Sequence, residues 1–143
     1  MPIDSKKQKL NTGQVITLWL KDNPQKYPPE VVLPAILKEL SLPNAQVKQL
    51  GNTVFEVLMG EGDAAFFKAF NVDTGANFVA NSKKFCVWAR NTLGLHTLVT
   101  QFADQRIETV FRHIAAKPPM EGMGYQVFRT KSGDTRIALN LGE

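Results

Sequence analysis

Residues 45–72 read AQVKQLGNTVFEVLMGEGDAAFFKAFNV, and the period of this stretch decides the fold. The runs AQVKQL and TVFEVLM are strand-like and are separated by Gly51-Asn52, a two-residue loop that favours the primed turns of tight hairpins. Gly60-Glu61-Gly62-Asp63 makes a second turn into AAFFKAFN. The expectation is an antiparallel three-strand meander with 53–59 in the middle. Val54, Phe55, Val57 and Leu58 place apolar side chains on both faces of that strand, so it should be covered on both sides.

Before the meander, NTGQVITLWLKDN sets Val15, Leu18 and Trp19 on one helical face, predicting a short helix over 14–22 with Asn11 or Thr12 as its cap. YPPEVVLPAILKELSLP predicts a second helix near 29–41. Pro29 suits its first turn, Pro34 should kink it or delay its start, and Pro43 closes it. After the meander, Phe78, Phe85, Trp88, Ala89 and Leu93 recur at helical spacing up to Gly94, and HTLVTQF reads as a strand. ADQRIETVFRHIAAK is the clearest helix, with Asp104 able to cap it and Ile107, Val110, Phe111 and Ile114 on one face. GYQVFRT and TRIALNL alternate about the turn at 131–134, a last hairpin. The order is α-α-β-β-β-α-β-α-β-β, and its strand–helix–strand passage implies an α+β protein, an α/β/α sandwich with helices on both faces of a mixed sheet.

A chain of 143 residues is long enough for one domain that buries roughly two-thirds of its unfolded surface. Cys86 is the single cysteine, which excludes an internal disulfide or a cysteine-based metal cluster and favours a cytoplasmic-type compartment. No apolar run reaches the ~18 residues of a membrane span, and MPIDSKKQKL has no signal-peptide core. Lys6, Lys7 and Lys9 make residues 1–10 read as a flexible basic arm ahead of a single domain over 11–143. No Walker loop, no HExxH and no cysteine pair is present, so no metal site is expected. Lys83, Lys84 and Arg90 share one helix and Arg106, Arg112 and Lys117 another. Such helices read as solvated faces, with nucleic-acid binding as the sharper alternative.

The element order is similar to that of the GCN5-related N-acetyltransferase (GNAT) fold, in which two helices precede a meander whose third strand feeds a pyrophosphate-binding loop. The resemblance covers about residues 12–142, with the family's first strand missing, and is echoed locally in WARNTLG and GMGYQVFRTKSGDTRIALNLG. Divergent GNAT-like proteins of this length occur in tailed bacteriophages, including virion-associated ones, and the resemblance implies that setting: another protein, such as a virion protein, as partner, and the cytoplasm or the virion as location.

The resemblance also implies where chemistry would sit. The family's loop resembles [Q/R]-x-x-G-x-[G/A]. Here it would comprise Val72, Asp73, Thr74, Gly75, Ala76 and Asn77, and would take acetyl-CoA or another acyl-CoA. Gly75 matches the motif. Val72 stands where the family has Gln or Arg, Asn77 where it has a small residue, and Asp73 adds a negative charge facing the pyrophosphate. The family uses a Glu as general base and a Tyr in or after the last long helix as general acid, which would fall to Glu56, with His113 or Tyr125. Burial of Glu56 in its apolar strand would raise its pKa and make it a usable base, while the simpler reading has it facing solvent. Tyr125 reads more simply as a strand-pair aromatic, His113 as solvated, and Cys86 as a packed thiol. With the loop motif reduced to one glycine, the expectation is a non-catalytic GNAT-like scaffold that binds no cofactor and acts through protein contacts. The alternatives are an acyl-CoA-dependent N-acyltransferase with a divergent loop and a small nucleic-acid-binding module.

Overall fold

A computed structural model describes residues 2–4, 6, 8–100 and 105–142. The first helix, α1, spans Thr12–Asp22 and starts two residues earlier than its apolar period suggests. Asn11 caps it: its side chain accepts the Gln14 N–H while the Gln14 side chain accepts the Asn11 N–H, each at 2.9 Å. Two orphan donors are satisfied reciprocally, which moves the start upstream. Helix α2, Pro29–Leu40, carries Pro34 inside it, and Pro34 does not delay its start.

Strands β1 (Ala45–Leu50), β2 (Thr53–Leu58) and β3 (Ala64–Asn71) form the antiparallel meander, with β2 inside it. Gly51 has φ 56° at the first loop position and Asn52 a negative φ, the pattern of a type II′ turn. Helix α3, Gly75–Asn91, closes three residues before Gly94. β4 (Thr97–Thr100) lies parallel to β3, and α4 (Gln105–Ala116) follows. The cap assigned to Asp104 and the end of the strand assigned to Phe102 lie outside the described residues. β5 (Gly124–Arg129) and β6 (Thr135–Asn140) make the last hairpin, giving one mixed sheet in the order β1-β2-β3-β4-β6-β5.

The sheet separates two apolar clusters. On one face Phe55, Phe67, Phe85 and Phe111 pack with α3 and α4, and the Phe55 and Phe85 rings stack at 4.2 Å. On the other, Val15, Ile16 and Leu20 of α1 meet Val54 and Phe70, with Val32 and Ile36 of α2 against them. Strand β2 is therefore covered on both faces, as its double-sided apolar pattern predicts. The first ten residues are not free throughout. Leu10 is buried, and Asn52 holds both the Leu10 N–H (2.8 Å) and the Gln8 carbonyl (2.6 Å).

Candidate functional site

Strands β3 and β4 run side by side only from Ala64/Thr97 to Phe67/Thr100. Beyond that, Lys68–Asn71 continue with no strand beside them on that edge among the described residues. A cleft of about 1190 Å³ lies at this end of the strand pair. Phe67 to Asn71 and Thr100 line its floor, Trp19 and Ile36 one wall, and Arg106 and His113 of α4 another. Gly75 and Ala76, at the start of α3, close one end.

The loop into α3 is built differently from its sequence expectation. Asp73 is buried, and its Oδ2 accepts the Asn52 backbone N–H and the Asn81 side-chain amide, both at 2.8 Å. Its carboxylate is therefore engaged by donors of the hairpin turn and of α3. Thr74 caps α3 by accepting the Asn77 N–H at 3.2 Å. The N–H groups of Gly75 and Ala76 have no partner among the described residues, as first-turn donors of a helix normally lack one. A Cβ placed on Gly75 would meet nothing within 4 Å, so there is open space at its Cα.

Glu56 is fully buried, which corrects the solvent-facing reading: α1 and α2 cover the face of β2 that the local pattern left open. Lys68 stands opposite it in the β2–β3 register, and the Lys68 Nζ lies 3.1 Å from Glu39 Oε2 of α2. One cation thus serves two carboxylates. Burial first, and the Glu39 charge second, push the Glu56 carboxyl from 4.5 up to about 7, against the pull of Lys68. Neither Glu56 oxygen accepts a hydrogen bond among the described residues.

His113 is exposed and lines the cleft. Tyr125 does not line it: its ring packs 6.3 Å from Phe111, and its strand partner is Leu139. The structure thus places Lys68 and His113 on one cleft, sets Glu56 beside Lys68, and leaves Tyr125 at the core's rim. Cys86 is buried among aromatic rings, and desolvation pushes its thiol up to about 12. His96 sits elsewhere, its ring nitrogen 3.3 Å from the Gly142 carbonyl. The sequence grouped Arg106 with Arg112 on one solvated face, but Arg106 lines the cleft while Arg112 pairs with Glu108 at 3.7 Å. Lys68 and Thr100 carry no local signal at all. The sheet register alone brings them to the site.

No protein-family model matches the chain. Adenylylsulfatase HINT3 of Arabidopsis thaliana is 32% identical over 92 residues, which is 64% of this chain and 46% of the plant protein. The chain therefore spans less than half the length of that relative. Among solved structures, N-acetyltransferase PseH of Campylobacter jejuni superposes with a TM-score of 0.60 at 12% identity, covering 92% of each chain. Its complex with acetyl coenzyme A gives 0.58 at 14% identity, again over 92% of each chain. A variant of spermidine N-acetyltransferase SpeG from Vibrio cholerae gives 0.57 at 9% identity over 92% of this chain and 91% of that one. The fold is GNAT-like, a mixed α+β sheet flanked by helices.

These similarities correct the expectation of a non-catalytic scaffold. The structures that share the fold over nine-tenths of the chain are N-acetyltransferases, one of them with acetyl coenzyme A bound. Asp73 is tied through Oδ2 to Asn52 and Asn81 while it lines the cleft, and Val72 and Asn77 still depart from the family's loop.

Proposed function

We propose that the protein is an acyl-CoA-dependent N-acyltransferase. The observation that carries this reading is the cleft lined by Lys68–Asn71 of β3, which reaches Gly75 and Ala76 at the α3 N-terminus. An acyl-CoA presents an extended amide chain and a pyrophosphate. The backbone of Lys68–Asn71, which has no strand partner on the cleft side among the described residues, suits the amides. The free N–H groups of Gly75 and Ala76, the open space at Gly75 and the nearby Arg106 suit the phosphates. When bound, such a cofactor supplies an acyl thioester.

The chain's own groups supply proton handling. Lys68 lines the cleft, and Glu56 is buried opposite it and off the cleft lining. Its carboxyl, which titrates at about 7, would therefore take an amine's proton through an intervening water near neutral pH. His113, on the α4 wall, offers a second titratable group at the cleft surface. Trp19, Val32 and Ile36 give the cleft an apolar wall that limits water.

Differential calorimetry with acetyl-CoA tests the reading. Occupancy at a hundredfold excess over Kd stabilises the folded chain by about 2.7 kcal/mol, a rise in Tm of roughly 5–10 °C. The rise should saturate and should vanish in Gly75→Val, whose branched side chain would enter the open space at the start of α3. Thiol release in the presence of simple primary amines should accompany it. No shift at millimolar acetyl-CoA would overturn the proposal.

A further inference from the structure

The N-terminal segment lies across the loop that leads into α3. Ile3 forms a parallel bridge with Asp73. Its N–H donates to the Val72 carbonyl at 2.6 Å, and its carbonyl accepts the Thr74 N–H at 3.2 Å. Next to it, Asp4 Oδ1 accepts the Asn77 side-chain amide at 3.3 Å, in the first turn of α3. Pro2 lines the cleft itself. A carboxylate is thereby held at the N-terminal end of a 17-residue helix, where the helix dipole attracts negative charge.

We infer that Pro2–Asp4 is an autoinhibitory strap that competes with a phosphate-bearing ligand for the α3 N-terminus. The inference rests on the acyl-CoA reading and adds a regulation of the same site. Two features suit the segment to this role. Pro2 is exposed and Ile3 and Asp4 are only half-buried, so the segment lies on the outside of the loop and can lift. Asn52 grips the chain farther along, through the Gln8 carbonyl and the Leu10 N–H, so a lifted strap stays tethered beside the site. A strap docked about nine-tenths of the time weakens apparent affinity about tenfold, because only the open fraction binds.

The test is titration calorimetry of coenzyme A into the full chain and two variants. Ile3→Pro removes the N–H that reaches Val72 and should tighten binding about tenfold. Asp4→Asn keeps the shape, removes the charge at the helix end and should tighten binding about two- to fivefold. Asp4→Asn carries the test alone if Ile3→Pro does not fold. Equal affinity in wild type and variants, or weaker binding in the variants, overturns the strap and leaves the acyl-CoA reading standing. If no form binds coenzyme A at millimolar concentration, that reading falls, and inorganic pyrophosphate decides the strap. Tighter pyrophosphate binding in the variants than in wild type supports it, and equal or absent binding overturns it.

Discussion

The backbone N–H of Asn52 donates to Asp73 Oδ2 at 2.8 Å, tying the first hairpin turn to the loop that opens α3. Asn81 of α3 donates to the same oxygen at 2.8 Å and also reaches Thr53 Oγ1 at 3.0 Å. One buried carboxylate thus fixes the position of a turn, a loop and a helix. Asp73→Ala leaves the buried Asn52 N–H without its acceptor and Asn81 with Thr53 Oγ1 alone, and should cost about 1–3 kcal/mol in urea unfolding. Asp73→Arg would put a cation among those donors, so it should destabilise the chain at least as much and gain no affinity for acetyl-CoA. Stability unchanged by either substitution would show that the network is dispensable.

Stability should fall as pH rises from about 4.5 to about 7. The folded chain holds the Glu56 proton up to about 7, whereas an exposed glutamate loses it near 4.5. The folded state therefore binds more protons in that window, and raising the pH favours unfolding until Glu56 is ionised in both states. Glu56→Gln should flatten this part of the profile and stabilise the chain by roughly 3 kcal/mol at pH 8. A profile that keeps its slope in Glu56→Gln would assign the dependence to another group. On the proposed acyltransferase reading, the same substitution should lower the acyl-transfer rate by about a hundredfold, as loss of a general base does.

Phe111 is buried between Phe67, at 5.9 Å, and Tyr125, at 6.3 Å, beneath the cleft wall that carries His113. Phe111→Ala should cost about 3–5 kcal/mol, since the removed ring leaves a cavity that its neighbours fill only in part. Denaturant melts measure this directly. A loss below about 1 kcal/mol would mean that α4 is not packed through this ring.

Cys86 should resist alkylation in the native chain at pH 8. Its buried thiol titrates at about 12, so almost none is present as the reactive thiolate. Iodoacetamide labelling should appear only as urea unfolds the protein, tracking the unfolding curve. Rapid labelling without denaturant would contradict the packing of α3 against the sheet.

The chain's local chemistry determined its elements and their order. The Gly51-Asn52 turn, the double-sided apolar run of β2 and the face of α4 carrying Val110, Phe111 and Ile114 are written at separations of a few residues, where period and turn geometry act. Helix ends were less legible, because the start of α1 depends on reciprocal capping by Asn11 and Gln14 rather than on apolar spacing. The site belongs to the tertiary structure. Asp73 reads as a charge facing a ligand until a turn 21 residues upstream supplies the donor that engages its carboxylate. Glu56 reads as a strand's solvent-facing position until α2 brings Glu39 and buries it beside Lys68. A polar side chain's direction and protonation depend on which distant groups surround it, and no local period encodes that. The cleft likewise joins residues far apart in sequence, Lys68–Asn71 of β3 with Arg106 and His113 of α4, and only the assembled structure brings them together.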